Sequence, residues 1–328
     1  MPASRHLILP FAASLSEPCQ KALPQLDDAA RYPHLHQLLT RLSQHTRREG
    51  DEYARSMPHE RILGHALGWD ALPDGALPWA ARDAQASGIN VGEQAWGRIT
   101  PCHWSMGRET LTLIDPDELH LAEADSRSVL ETWRPWFEDE GWTLVYAQPT
   151  TWYASHPSLD GLPTASLDRV IGRNPDVWMP DHPQARLIKR LQNEVQMLMY
   201  QYPLNEQREA AGLLTVNSFW LSGCGRLPPN TVALPTSEQL LTTLRAPMLA
   251  SNLADWIAAW KALDDTTLRD ACAALDVGQR VSLTLCGEQH SLTLSAPTAP
   301  SATQRVLGSL RRMMGRPGPI PSALLATL

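Results

Sequence analysis

Residues 201–225 read QYPLNEQREAAGLLTVNSFWLSGCG. Two opposite periodicities meet in this stretch. From about Pro183 to Tyr202, the residues Leu187, Leu191, Val195, Leu198 and Tyr202 recur at helical spacing, and Pro183 suits a first turn. From Thr215 to Leu221 the chain is apolar, rich in β-formers and bounded by glycines, which predicts a buried strand. A long amphipathic helix feeding a buried strand points to a layered α/β chain. Ser222-Gly223-Cys224-Gly225 then predicts a tight turn. A dinucleotide fingerprint needs a third glycine and a helix directly after it, and Arg226-Leu227-Pro228-Pro229 starts no helix.

The same reading extends outward. His6 to Phe11 predicts a first buried strand rather than an export signal, because Pro10 breaks the apolar run and a single Arg precedes it. A helix is expected over Pro33–Gln44, an exposed charged stretch over Thr46–Glu52, and a short helix over Pro58–Leu67 that Gly68 ends. Ala95–Trp104 and Glu109–Asp115 alternate as strands, Ala122–Glu140 as a helix, and Trp142–Ala147 and Thr151–Ser155 as strands again. Residues 156–183 form a long polar loop. Helices are expected near Leu249–Leu263 and Thr266–Leu275, then a hairpin of Arg280–Leu285 with Ser291–Ser295. The expected organisation is a core in two parts (1–92 and 181–300), an inserted α+β layer (93–180) and a loose basic tail (301–328).

Composition narrows the class. With 328 residues and 43% hydrophobic content, the chain can bury a sizeable core. A net charge of −7 offers no general attraction for nucleic acid or anionic lipid, and no apolar run has the length of a membrane span. Five cysteines with no CxxC pair argue for reduced thiols in a cytoplasm rather than disulfides or structural zinc.

Most polar motifs have a plain structural reading. His34 and His36 lie in a helical pattern, where residues two apart diverge. His59 and His65 are six residues apart, whereas a zincin pair needs four. Asp181-His182 precedes the long helix, and Asp181 is expected to cap it. Cys224 shows no activating base. Two arginines and an amide in Asp168-Arg169-Val170-Ile171-Gly172-Arg173-Asn174 could form a bidentate anion clamp or simply stitch the loop. The twelve tryptophans fall mostly at core spacings, and a surface rich in them could also serve a protein partner.

The opening stretch also resembles a segment of the archaeal-type cofactor-independent phosphoglycerate mutases. Their pattern is a long helix, then H-P-x-N-x-x-R-x-x-x-G, then a strand beginning A-N and ending G-x-G. Asn205, Arg208, Gly212, Asn217, Gly223 and Gly225 match, while Tyr202 stands for the His and Val216 for the Ala. Gly68-Trp69-Asp70 resembles that family's G-Y-D, and Gly97 to Ala124 its paired strands and helix. The whole chain is similar to proteobacterial proteins labelled phosphoglycerate mutase or rpf-type regulatory protein. The resemblance implies an alkaline-phosphatase-like α/β sheet core with helices on both faces and an inserted α+β layer.

In that superfamily, two divalent metals and a Ser or Thr nucleophile do the chemistry. The first strand should end D-G-x-G-D, and here it ends Leu9-Pro10-Phe11-Ala12-Ala13. The nucleophile segment G-S-D-T-A-H aligns with Pro58-His59-Glu60-Arg61-Ile62-Leu63, and Ser56 stands three residues off. The later D-x-x-G-H-D and G-D-H segments have no counterpart; Cys286-Gly287-Glu288-Gln289-His290 is nearest and reads as a hairpin turn. The sequence therefore predicts a non-catalytic, regulatory relative without a cofactor that binds a small anionic ligand, a phosphorylated or carboxylate compound. The expected contacts are Arg169, Arg173, Asn174, Asn205, Arg208, Asn217, Gly223 and Gly225. Two alternatives stand beside it. One is an active manganese or zinc phosphomutase or phosphohydrolase with rearranged ligands, drawing on His59, Asp181 and His182. The other is a protein-binding module.

Overall fold

The computed structural model describes residues 4–107, 110–297 and 318–328. The architecture is mixed α/β, and the chain divides into two compact units. The first comprises residues 1–53, 58–66 and 233–328; the second comprises 54–57 and 67–232. The expected α+β layer, 93–180, falls within the second unit, which runs further in both directions and takes in the 201–225 stretch.

The first unit is built on a five-stranded sheet. Its strands are β1 (Ser4–Leu9), β2 (Gln44–Arg48), β9 (Glu238–Leu240), β10 (Arg280–Cys286) and β11 (Ser291–Ser295), in the order β2-β11-β10-β1-β9. The strand β1 runs parallel to both neighbours, β10 and β9, whereas β11 and β2 are antiparallel additions. A central parallel strand is covered on both faces, and Leu7, Ile8 and Leu9 are accordingly buried without alternation. The helix Pro33–Arg41 buries Leu35, Leu38 and Leu39. It ends three residues before the expected limit, because Gln44–Arg48 pairs with β11 as an exposed edge strand. The start of that helix is capped from far away in sequence. Asp264, fully buried, accepts hydrogen bonds from the amides of Leu35 (2.7 Å) and His34 (3.4 Å) and contacts the His34 ring at 3.1 Å.

The second unit holds the antiparallel sheet β6-β7-β3-β8, made of β3 (Ala95–Cys102), β6 (Thr143–Gln148), β7 (Thr151–Ser155) and β8 (Ser218–Arg226), and a small hairpin, β4 (Trp104–Met106) with β5 (Leu111–Leu113). One sheet face, with Ile99, Leu144, Trp152, Phe219 and Leu221, packs on the apolar stripes of helices Glu123–Glu138 and Ala185–Tyr200. On the other face Trp96 and Tyr153 meet Ala80, Ala81 and Ala84 of the helix Trp79–Ala86. Small side chains on that helix let it lie close against the strands.

One expectation is corrected. Ser222–Gly225 is no turn, since β8 runs on through it to Arg226. The pairing with β3 slips between Trp96 and Arg98, leaving a bulge in which Gly223 adopts φ +64° and Gly225 φ +144°. A glycine pair that looks like a turn in sequence is here a kink inside a strand. Of the tail expected over 301–328, the structure describes 318–328. Residues 298–317 lie outside the described residues, but Pro321–Leu325 is helical, and Leu325 and Leu328 are buried.

Candidate functional site

In α/β sheets, ligands gather beyond the carboxyl ends of parallel strands. Beyond β1 the side chains of Phe11, Ala12 and Ala13 are buried and apolar. Phe11 sits at φ +57°, unusual for an aromatic residue. Its carbonyl accepts from Trp256 Nε1 at 3.0 Å, its ring lies 6.2 Å from that of His59, and the Ala12 amide donates to Cys286 O at 2.8 Å. The chain just beyond the carboxyl end of β1 is therefore lined by hydrocarbon. Just after it, Ser14 Oγ donates to Glu288 Oε1 at 2.8 Å. Among the described residues, no group of three or more His, Cys, Asp or Glu side chains is gathered as metal ligands would be.

In the second unit, Ser56 is buried and its Oγ accepts from the Gly75 amide at 3.0 Å. The Asp74 carboxylate accepts from the amides of Arg55 (2.6 Å) and Ser56 (2.9 Å). The Ser56 hydroxyl thus helps to clasp a loop. Asp181 is exposed, and Gln184, the residue that precedes the helix Ala185–Tyr200, makes no side-chain cap; instead His182 Nδ1 accepts from the Gln184 amide at 3.4 Å. The expected Asp181 cap is not formed, because the helix starts four residues further on. His34 and His36 diverge as helical spacing requires, towards Asp264 and towards Leu26 O. Burial pushes the Cys224 thiol up to about 12, so it is protonated at neutral pH.

The residues nominated for ligand binding all lie in the second unit, and most have work in the backbone. Asn205 is buried; its Nδ2 donates to Met199 O and Val216 O, and its Oδ1 accepts from the Val216 amide. Arg208, also buried, donates to Leu214 O at 2.8 Å, to Leu119 O, and to Asp125 Oδ2 at 3.4 Å. Asn217 brackets Trp104, accepting from its amide and donating to its carbonyl. Arg169 is fully buried, with its guanidinium 5.7 Å from the Trp178 ring centroid and 3.5 Å from Ser56 O. Arg173 is half-buried, and its carbonyl accepts from the Leu113 amide. Asn174 Oδ1 accepts from the Asp176 amide at 3.0 Å. A Cβ on Gly223 would stand 3.0 Å from both Ala80 N and Trp79 Cβ, so that glycine serves helix–strand contact. A cavity the size of about one water lies among Thr164, Met179, Ile188, Gln192 and Trp220.

One polar network escaped the sequence reading. His6 Nδ1 lies 2.6 Å from Glu238 Oε2, His6 Nε2 lies 2.7 Å from Thr284 Oγ1, and Thr284 Oγ1 lies 2.8 Å from Thr293 Oγ1. It crosses four strands in one row. Thr284 is fully buried in the middle of the sheet, so its hydroxyl ties strands together and is not presented to solvent. Its only sequence trace is a polar residue at every second position of β10 and β11.

No protein-family model matches the chain, and no curated protein matches it. Solved structures do. A cofactor-independent phosphoglycerate mutase from Thermoplasma acidophilum is 13% identical over 91% of this chain and 90% of its own, with a TM-score of 0.37. The PH0037 protein from Pyrococcus horikoshii is 12% identical over 90% of this chain and 87% of its own, with a TM-score of 0.45. The likeness concerns the course of the chain and assigns no residue a role.

Proposed function

We propose that this chain is a non-catalytic, phosphoglycerate-mutase-like protein with a regulatory role, which binds a small phosphorylated or carboxylate compound without turning it over. The observation that carries the reading is the apolar closure beyond β1, where Phe11, Ala12 and Ala13 stand in place of the acid a metal-dependent mutase needs. Two divalent ions are not held against their hydration without clustered carboxylates. The matched and the missing parts of the mutase pattern also differ in kind. Asn205, Arg208 and Asn217 bond to main chain, while Gly212 (φ +72°), Gly223 and Gly225 adopt positive φ. These are structural residues, so the pattern persists where the fold needs it and lapses where chemistry would. Of the nominated ligand contacts, Arg173 and Asn174 stand in the more open loop and are the ones proposed to meet the ligand.

The test is phosphorus NMR of 2- and 3-phosphoglycerate incubated with the full chain and manganese. No interconversion and no phosphate release is expected, while phosphorylated metabolites raise the melting temperature and Arg173→Ala reduces that rise. Turnover sensitive to EDTA would overturn the non-catalytic half. Absence of any anion-dependent shift would overturn the ligand half.

A further inference from the structure

Three segments distant in sequence meet at the carboxyl end of β10, all within the first unit. The turn Gly287–His290 follows the strand, and the amides of Gln289 and His290 both donate to the main-chain oxygen of Leu328, each at 3.1 Å. Two successive N–H groups aimed at one oxygen are the means by which a backbone turn holds an oxyanion. Leu328 is fully buried against Gly287, where a Cβ would collide with it. Two arginines flank the turn. Arg47 donates to Thr327 O (2.6 Å) and Thr327 Oγ1 (2.8 Å), and Arg61 donates to Gln289 O (2.9 Å). His290 Nδ1 accepts from the Gly50 amide at 3.0 Å. The nearby carboxylates are Glu49, 3.9 Å from Arg47 Nε, and Glu288, which accepts from Ser14 Oγ.

The position in the sheet gives this cluster its meaning. The strand β1 has parallel partners on both sides, and the chain adds β9 on one side before crossing to add β10 on the other. Such a reversal opens a crevice at the carboxyl ends, the usual ligand position of open α/β sheets. Here residues 321–328 fill the β10 side of it. Elsewhere the segment is anchored through its helix, which packs on Leu23–Asp27 and Pro33–Arg41: Asp27 accepts from the Ser322 amide (2.9 Å) and hydroxyl (2.6 Å), and Pro321 and Leu325 are buried, so a displacing ligand has to outweigh these contacts.

We propose that the Gly287–His290 turn, with Arg47 and Arg61, is a binding site for a small oxyanion, a carboxylate or a phosphate, and that residues 321–328 occupy it in cis until the ligand displaces them. This site is separate from the Arg173 loop and independent of whether the chain has turnover.

Hydrogen exchange on the full chain tests it, with inorganic phosphate in one arm and acetate in the other. In the native chain, the effective anion speeds exchange at residues 322–328 while the amides of Gln289 and His290 stay protected. Ser322→Asp sets a second carboxylate against Asp27, so 322–328 and 289–290 all exchange faster without anion, and the anion restores protection at 289–290 alone. Arg47→Ala weakens that effect roughly tenfold. A response to phosphate only, or to acetate only, supports the site and selects its class. If neither anion changes exchange at 289–290 or 322–328, the turn merely anchors the chain and the proposal fails. Should Ser322→Asp fail to fold, the native titration alone still decides.

Discussion

Arg208→Ala separates a structural arginine from a ligand-binding one. Its Nε donates to Leu214 O at 2.8 Å and its Nη2 to the carbonyl of fully buried Leu119. A bond from a charged donor contributes about 1.5–3 kcal/mol, and an orphaned buried carbonyl costs about 1–3 kcal/mol. The Asp125 contact is long and its carboxylate about one third exposed, so solvent screens it and we assign it little. Two lost bonds to main chain give about 3–5 kcal/mol of destabilisation. Urea unfolding followed by tryptophan fluorescence reads this directly, because the second unit buries Trp133, Trp152 and Trp220 in its cores. Arg208→Lys keeps the charge but not the fork and should recover less than half of the loss. A loss under about 1 kcal/mol, with anion binding abolished, would refute the structural assignment and return Arg208 to a ligand site.

Other outcomes follow from the same geometry. Gly223→Ala forces a Cβ into positive φ and against Ala80 N, and should lower stability by about 1–3 kcal/mol in the same urea titration. Asp264→Ala removes the remote cap of the helix Pro33–Arg41 and should lose about 2 kcal/mol, read by thermal melting. Burial holds His156 below its ordinary value of 6.5 while its ring stacks on Trp142. The unfolded chain therefore takes up the proton first, and stability declines as pH falls below about 6.5. His156→Phe should flatten that slope, and an unchanged slope would show that other groups set it. Cys224, protonated and buried, should resist thiol reagents in the folded chain and react only on unfolding.

Much of the fold was legible because local signals agreed with burial. The apolar run at β1 and the alternation from Arg280 to Ser295 each carry their own period. The long helix is legible from its stripe, but the stripe is only partly the buried face: Leu191 and Val195 are buried together with Ile188, Gln192 and Met199, while Leu187, Leu198 and Tyr202 are half-buried at its edge. The misread parts lack such a period. Glu238–Leu240 is three residues long and becomes a strand only because β1 offers an edge. The Gly223 bulge is set by the helix Trp79–Ala86 lying across it, a contact no local pattern announces. The apolar end of β1 could be read directly, as Phe11-Ala12-Ala13. The turn at Gly287 could not, since Arg47, Arg61 and Leu328 meet there only through sheet order and packing.

The central claim is that the carboxyl end of β1 is closed by hydrocarbon and holds no pair of divalent ions. Metal titration of the purified full chain with manganese and with zinc, after EDTA and dialysis, tests it most directly. The account predicts only weak, non-saturating uptake and no rise in melting temperature. Two tightly held ions per chain, with a stabilisation that EDTA reverses, would contradict it.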